Sequence, residues 1–297
     1  MNFADAPFDP EVSQAAGRDL SQRMTVPVHI NGVGPFNFVV DSGANRTVVC
    51  AELAAELRLP DGGPANIHGV AGVEPAPTAM VQSLLVGNKA LTGLRAPTLP
   101  RARLGADGLL GVDALQGRRV VLDFLRDQLT IAPSRAGREL SALDMRQDQS
   151  ARNKPVGKRV VVPARYRFGQ LIIIGADVER RPVTAFLDTG AQATVGNNVL
   201  RKLVLESRAI PNPLRYEVPV LSATGQTAAG ELRIMPQLKI GGLRIKGLMA
   251  VFADLHVFDI WGLSQTASLL LGMDVLRRFN AVELDYGRRE VAFYLPA

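Results

Sequence analysis

One short pattern occurs twice in this chain, and the repeat limits the possible folds more than any other feature of its 297 residues. Asp41-Ser42-Gly43-Ala44 is matched by Asp188-Thr189-Gly190-Ala191, 147 residues later. Further blocks recur in the same order: Gly72 with Gly225, Gly87 with Gly241, Gly111 with Gly272, and apolar segments ending at Phe124 and Tyr286. A repeat of this length and order indicates a duplicated domain, so the two halves should share a fold.

The spacing between matched blocks grows along the chain, which places insertions in the second copy near 206–216 and 252–265. A polar, charged stretch poor in periodic apolar residues separates the copies and is predicted to be a linker. The residues before the first copy are predicted to be a leader. The chain is therefore divided into a leader (1–23), an N-terminal lobe (24–133), a linker (134–159) and a C-terminal lobe (160–297).

The composition and patterning predict an all-β fold with short helices. Glycine (28) and proline (19) are plentiful, as expected for many short strands joined by tight turns. Residues 25–40 alternate at the strand period and contain Asn31-Gly32 and Gly34-Pro35, which predicts a hairpin with a somewhat enlarged loop. Short helices are expected at 51–57 and directly after each Leu-Leu-Gly.

Several classes of function are disfavoured by composition. The net charge of +6 comes with scattered arginine pairs and only 5% aromatic residues, so no nucleic-acid partner is expected. Cys50 is the only cysteine, which excludes a disulfide within the chain. His29, His68 and His256 lie far apart in sequence, so we expect no metal and no cofactor. No membrane span and no signal peptide are visible.

The repeated acidic residues carry the candidate chemistry. A lone Asp-Ser-Gly or Asp-Thr-Gly is a common turn at a strand end. Here an apolar strand leads into Asp41 and again into Asp188, and each copy continues with a return to Thr-Val. Two carboxyl groups held close together share one proton, so that one acts as base and the other as acid. The repeat marks Asp41 and Asp188 as the candidate residues for such a pair.

The motifs resemble those of a known family. DSGANRTVV and DTGAQATV are similar to the active-site loops of retropepsin-like aspartic proteases, in the single-chain, two-lobed form found in bacteria. LLGVDAL and LLGMDVL are similar to the hydrophobic-hydrophobic-Gly motif of that family. The resemblance covers 24–133 and 160–297, and it implies two retropepsin/pepsin-like β-barrel lobes with the active site at their interface.

The resemblance also assigns roles to the residues around the pair. It implies an endopeptidase that hydrolyses an extended polypeptide with a water activated between Asp41 and Asp188. Ser42 and Thr189 are expected to grip the opposite loop, while Gly43 and Gly190 allow close backbone approach. Pepsins usually carry Ser or Thr in place of the next residue, which is Ala44 in one copy and Ala191 in the other. Without that hydroxyl we expect raised pKa values for the pair and a mildly acidic to neutral optimum.

Substrate contacts are expected from the residue after each alanine and from two flap tips. Viral members commonly carry an acid where this chain has Asn45 and Gln192. Whether the substrate specificity of the family applies to this chain therefore stays open. The expected substrate-binding residues are Asn45, Gln192, Gly69, Val70, Ala71, Gly72, Ala223, Thr224 and Gly225. The flap glycines suit a mobile turn that closes over a substrate.

Two further questions stay open at this point. A non-catalytic peptide-binding or regulatory module on the same fold is the alternative to an enzyme. The resemblance implies a monomer with pseudo-two-fold symmetry and a periplasmic or exported protein, with the cytoplasm as the alternative location.

Overall fold

The computed structural model describes residues 12–15, 17–18, 23–87, 89–134, 154–167, 169–207 and 215–296. Strands account for 53% of the chain and helices for 13%, which confirms the predicted all-β class. The predicted linker lies mostly outside the described residues, as do 208–214 in the first predicted insertion.

The first half of the chain forms short strands joined by turns and single-turn helices. Its strands are β1 (Val12–Ala15), β2 (Gly17–Arg18), β3 (Met24–Ile30), β4 (Val33–Val40), β5 (Val48–Cys50), β6 (Asp61–His68), β7 (Val73–Val86), β8 (Lys89–Leu99), β9 (Gly108–Leu110), β10 (Arg118–Asp123) and β11 (Gln128–Pro133). Its helices are α1 (Ala51–Glu56), α2 (Arg101–Leu104) and α3 (Val112–Leu115).

The second half repeats this pattern with shorter strands. Its strands are β12 (Lys158–Arg167), β13 (Gln170–Ile173), β14 (Ala176–Val178), β15 (Arg181–Pro182), β16 (Thr184–Leu187), β17 (Val195–Gly196), β18 (Arg215–Leu221), β19 (Thr227–Ile234), β20 (Leu238–Ile240), β21 (Leu243–Ile245), β22 (Met249–Phe252), β23 (Ser268–Leu271), β24 (Ala281–Asp285) and β25 (Glu290–Leu295). Its helices are α4 (Asn198–Leu205), α5 (His256–Ile260) and α6 (Met273–Leu276).

The first lobe contains a closed barrel of six strands in the order β3-β4-β9-β5-β8-β7. The pairing of β3 with β7 closes it, with Val28 opposite Val86. Strand β9 lies between β4 and β5, where Leu109 pairs with Val39 on one side and Val48 on the other. These residues are buried, because the central strands pack apolar side chains on both faces.

The second lobe has the equivalent order β13-β16-β23-β17-β22-β19-β18, but its strands are interrupted. The outer ends of the equivalent strands separate into a small sheet, β15-β14-β20-β21. The interruptions fall at Gly175, Pro236 and Gly247. Both glycines have positive φ, and proline cannot donate a hydrogen bond to a neighbouring strand. The two lobes therefore share a strand order but differ in barrel closure.

A mixed sheet joins the two lobes. Strands β1, β11 and β10 come from the first half and β24, β25 and β12 from the second, and they form neighbours in that order. The junction is the antiparallel pair β10–β24, which runs from Arg119 opposite Asp285 to Asp123 opposite Ala281. The predicted leader contributes β1 and β2 to this sheet and to the first lobe, so part of it belongs to the folded protein.

The first hairpin of the chain differs in its loop from the predicted form. The hairpin at 25–40 is present, but its loop is the two-residue turn Asn31-Gly32, with positive φ at both residues. The prediction of an enlarged loop was wrong, because Gly34-Pro35 lies inside β4 beside a register shift.

Helix α5 lies in the second predicted insertion, between β22 and β23. Cys50 is buried in the core of the first lobe. Within the described ranges no helix is long and apolar enough to span a membrane.

Candidate active site

Two equivalent loops present Asp41 and Asp188 at the junction of the lobes. Strand β4 ends at Val40, and the N–H of Asp41 donates to the carbonyl of Leu110 at 3.0 Å. Strand β16 ends at Leu187, and the N–H of Asp188 donates to the carbonyl of Leu271 at 2.9 Å. The leucines that end β9 and β23 thus hold the start of each loop.

Each carboxylate is fixed by its own loop. Oδ1 of Asp41 accepts hydrogen bonds from the N–H groups of Gly43 (2.8 Å) and Ala44 (2.9 Å). Oδ1 of Asp188 accepts from Gly190 (3.0 Å) and Ala191 (3.1 Å). Only Oδ1 of each carboxylate takes part in these bonds.

The two carboxyl groups lie against each other's loops. A Cβ atom built on Gly43 would lie 2.6 Å from Cγ of Asp188, and one built on Gly190 would lie 2.3 Å from Cγ of Asp41. Real Cβ contacts are longer than this, so only glycine at these positions admits the opposite carboxylate. The structure therefore brings Asp41 and Asp188 together, as the sequence predicted.

The expected grip between the loops is present in full. The N–H of Ser42 donates to Oγ1 of Thr189 (2.9 Å), and the N–H of Thr189 donates to Oγ of Ser42 (3.0 Å). Oγ of Ser42 in turn donates to the carbonyl of Leu187 (2.8 Å), and Oγ1 of Thr189 donates to that of Val40 (2.7 Å). Both side chains are buried, so these four bonds tie the lobes together directly beneath the aspartates.

Burial and mutual repulsion disfavour ionisation of the pair. Burial is the main reason that the pKa of Asp188 rises from 3.8 to about 7, and the charge of Asp41 adds to it. Burial also raises the pKa of Asp41. The backbone N–H groups and the cation of Arg23 act in the opposite direction on both carboxyls. The pair is therefore able to hold one proton near neutral pH.

A second layer of hydrogen bonds supports each loop and was missed in the sequence. Asp113 accepts from Oγ1 of Thr47 (2.7 Å), and Asp274 accepts from Oγ1 of Thr194 (2.7 Å). Each threonine oxygen also accepts from the glycine of its Leu-Leu-Gly motif, at 3.2 Å in the first lobe and 3.1 Å in the second. The sequence could have identified Asp113 and Asp274, because each follows its Leu-Leu-Gly motif at the same position.

Asn45 is exposed, and its side chain is hydrogen-bonded to a residue of the other lobe. Its Oδ1 accepts a hydrogen bond from Nε2 of the buried Gln170 (3.0 Å), which also donates to the carbonyl of Gly43 (3.2 Å). Gln192 occupies the equivalent place in the other lobe and is exposed. The substrate-binding role of these two residues stays a prediction.

Arg23 is the counterpart of Gln170, and each stands 18 residues before the aspartate of its own lobe. Nη1 of Arg23 donates to the carbonyl of Gly190 at 3.4 Å, and Nη2 donates to the carbonyl of Leu104. Arg23 lies in the segment predicted to be a leader, so its position beside the two aspartates was not predicted. It reaches the loop of Asp188 only through the packing of the two lobes.

The two predicted flap tips meet across the lobes. The first tip (69–72) connects β6 to β7, and the second (222–226) connects β18 to β19. The N–H of Ala71 donates to Oε1 of Gln226 at 3.1 Å, and the N–H of Val70 donates to Oγ of Ser222 at 3.4 Å. Gly69 is packed so closely that a Cβ there would lie 2.4 Å from Oγ1 of Thr224.

Each flap tip also contacts the body of the opposite lobe. The carbonyl of Val70 accepts from the N–H of His256 (2.8 Å) at the start of α5. The carbonyl of Thr224 accepts from Nη1 of Arg103 in α2. The predicted Gly72, Ala223 and Gly225 lie in the same tips. Arg103 and His256 were not predicted, since neither lies in a repeated motif.

These observations define a class of protein: an all-β, duplicated fold in which two Asp-(Ser/Thr)-Gly-Ala loops meet beneath two flaps. Comparison with family models gives two matches. Residues 26–117 match the gag-polyprotein putative aspartyl protease family, and residues 174–275 match a family described as aspartyl protease. No curated protein matches the chain. The chain belongs to the retropepsin-like aspartyl proteases and carries two duplicated lobes.

Proposed function

We propose that this chain is an aspartic endopeptidase that hydrolyses peptide bonds in an extended polypeptide. The observation that carries the proposal is the reciprocal packing of Asp41 and Asp188, with each carboxyl against the glycine of the other loop. Neither lobe supplies both carboxyl groups. Activity therefore requires the assembled interface, which the grip of Ser42 and Thr189 stabilises.

The proposed reaction uses the single proton held by the pair. The ionised carboxylate removes a proton from a water molecule, whose oxygen attacks the carbonyl carbon of the scissile bond. The protonated carboxyl donates its proton to the carbonyl oxygen, which gives a tetrahedral diol. As the C–N bond breaks, the carboxyl that took the proton from water gives it to the leaving nitrogen, and the other carboxylate takes a proton from a hydroxyl of the diol, which restores the singly protonated pair. The pair titrates as a unit, so neither aspartate is assigned the role of base.

The raised pKa of Asp188, about 7, supports activity at mildly acidic to neutral pH. A pair that keeps one proton up to this range has both base and acid available there. The loops also lack the hydroxyl that pepsins usually place where this chain has Ala44 and Ala191, which is consistent with weaker stabilisation of the ionised form.

The flap tips form one side of the proposed substrate-binding site. An extended polypeptide would lie between the aspartates and the two flap tips, with main-chain hydrogen bonds of the β type. In the structure the tips are bonded to each other and to the opposite lobes. Substrate entry therefore requires these contacts to open, and their closure would exclude water from the reaction.

The test is cleavage of a proteome-derived peptide library between pH 4 and 8, with Asp41→Asn and Asp188→Asn beside the wild type. We expect discrete cleavage sites that disappear in both variants and persist in Asp61→Asn, which alters an exposed acid outside the candidate site. Absence of cleavage by folded wild-type protein at every pH would instead favour a non-catalytic peptide-binding module.

A further inference from the structure

Two histidines that are 188 residues apart in the sequence meet in the fold. Nδ1 of His68 lies 3.2 Å from Nε2 of His256, and the ring centroids are 5.4 Å apart with planes inclined by 12°. His68 ends β6, immediately before the first flap tip, and His256 begins α5 in the second lobe. No repeated motif pairs them, because α2, which lies in the first lobe where α5 lies in the second, contains no histidine.

The spacing of the two nitrogens suits a metal ion as well as a shared proton. Ligand nitrogens at about 2.0–2.1 Å from a tetrahedral zinc ion lie about 3.3–3.4 Å apart, close to the observed separation. Neutral imidazole is a common ligand for Zn²⁺, Cu²⁺ and Ni²⁺. A metal would replace the proton between the rings after a small rotation of the side chains.

The surroundings leave room for solvent ligands. His68 is exposed and His256 is half-buried. Within the described ranges, no group of three or more His, Cys, Asp or Glu side chains is arranged to hold a metal. Water would therefore complete the coordination, and the ion would exchange readily. Such a site differs from a closed structural zinc site, in which the protein supplies all four ligands.

We propose that His68 and His256 form a binding site for a divalent transition-metal ion, which clamps the first flap onto the second lobe. The flap tip already contacts the same helix, since the N–H of His256 donates to the carbonyl of Val70 at 2.8 Å. A metal bridge beside this hydrogen bond would hold the flap in the closed position. The expected consequence for catalysis is inhibition, and this part rests on the proposed endopeptidase function.

Binding is tested by calorimetric titration of Zn²⁺ into the full chain without a polyhistidine tag. We expect one ion per chain in the wild type and in His29→Gln, which changes the third histidine. His68→Gln and His256→Gln should each weaken binding by about tenfold or more, since loss of even an outer-shell partner costs that much. Equal binding by these variants and the wild type, or no binding by the wild type, would overturn the site.

The nature of the site has a spectroscopic readout. The electron paramagnetic resonance spectrum of the Cu²⁺-loaded wild type should show two nitrogen ligands, and the spectrum of either variant should not. A wild-type spectrum without two coordinated nitrogens would contradict the assignment. Circular dichroism of each variant checks that the fold is kept, which we expect because both side chains reach solvent.

The clamp is tested separately from catalysis. Zn²⁺ should slow amide hydrogen exchange at 69–72 in the wild type and in His29→Gln but not in the other two variants. If cleavage is observed, Zn²⁺ should reduce its rate and a chelator should restore it. Unchanged flap exchange with Zn²⁺ bound would refute the clamp. Complete absence of cleavage without metal would refute the proposed function, while the exchange data would still decide the clamp.

Discussion

The two lobes present their aspartates in the same way but place different side chains behind them. The first lobe contributes the cation of Arg23 to the second loop, where it donates to Gly190. The second lobe contributes the neutral amide of Gln170 to the first loop, where it donates to Gly43 and Asn45. The duplicated loops have kept their geometry, while the electrostatics around them have diverged.

The same contrast holds for the barrels. The first lobe closes its six strands, whereas the second interrupts the equivalent strands at glycines and a proline. The helices that contact the flaps also differ: α2 of the first lobe contacts the second flap through the side chain of Arg103, whereas α5 of the second lobe contacts the first flap through the N–H of His256. The two aspartate loops have the same geometry, while the barrels and helices around them differ between the lobes. This indicates that the contacts between the lobes restrict the geometry of the loops most strongly. Substitutions at matched positions of the two lobes test where their equivalence ends.

The largest effect is expected from adding a methyl group to either loop glycine. Gly190→Ala and Gly43→Ala would each place a Cβ within 2.3–2.6 Å of the opposite carboxyl, which must move. Displacement by about 1 Å can reduce a rate about 10²-fold. We therefore expect kcat to fall about 10²-fold or more in both variants. Gly242→Ala, at a position with open space, is the control. Wild-type kcat in Gly190→Ala would contradict the close packing.

Removal of the grip should destabilise the protein equally from either side. Ser42→Ala and Thr189→Ala each delete a hydroxyl that accepts one hydrogen bond and donates another across the lobes. We expect the free energy of unfolding to fall by about 1–3 kcal/mol in each, because buried groups lose their partners. Urea unfolding measures this loss, and Thr189→Ser should restore it. A much larger loss on one side would show that the grip is not reciprocal.

Ionisation of the pair should make stability fall as the pH rises. The pKa of Asp188 is about 7 in the folded protein against an ordinary 3.8, so the folded state binds this proton more tightly. The stabilisation is present below about pH 4 and is lost as the pH approaches 7. Asp188→Asn lacks this titrating proton, so it should lose less stability across this window than the wild type does. For one proton the difference between the two proteins is at most about 1.4 kcal/mol per pH unit.

Urea unfolding at pH 4.5 and 7.5 measures this difference, since all other groups are shared by the two proteins. Asp61→Asn should behave as the wild type does. Parallel losses of stability in the wild type and Asp188→Asn would show that the carboxyl titrates normally.

The smallest effect is expected from exchanging the side chains behind the loops. Arg23 lowers the pKa values of both aspartates, so Arg23→Gln should raise both and shift the pH–rate profile to higher pH. Gln170→Arg adds a cation behind the other loop and should shift the profile to lower pH. Arg23→Lys keeps the charge and should leave the profile near that of the wild type. A shift in Arg23→Lys as large as in Arg23→Gln would point to packing instead of charge.

The features that the sequence predicted well are those encoded twice or within a few residues. The paired aspartates, their glycines and the grip residues stand in short motifs whose repetition gave both fold and site. The hairpin turn at Asn31-Gly32 was also local, although Gly34-Pro35 misled the loop length because a strand can accommodate it.

The features that were missed depend on contacts between distant segments. Arg23 stands beside Asp188 only through the packing of the lobes, and no residue near Arg23 in the sequence indicates this. Gln170 has a different side chain from its counterpart, so the repeat did not reveal it. Neither β18 nor α2, the counterparts of the elements that carry His68 and His256, contains a histidine. Contacts between unlike residues that are far apart in the sequence leave no repeated or periodic pattern from which they could be predicted.

The sheet between the lobes has a consequence for biogenesis. The strands β24 and β25 lie between β10 of the first lobe and β12 of the second, yet they are synthesised after both aspartates. A nascent chain that has already exposed Asp41 and Asp188 still lacks the strands that join the two lobes into one sheet. Because β25 ends at Leu295, the sheet that joins the two lobes is completed only after both aspartate loops and nearly all the strands of both lobes have been synthesised.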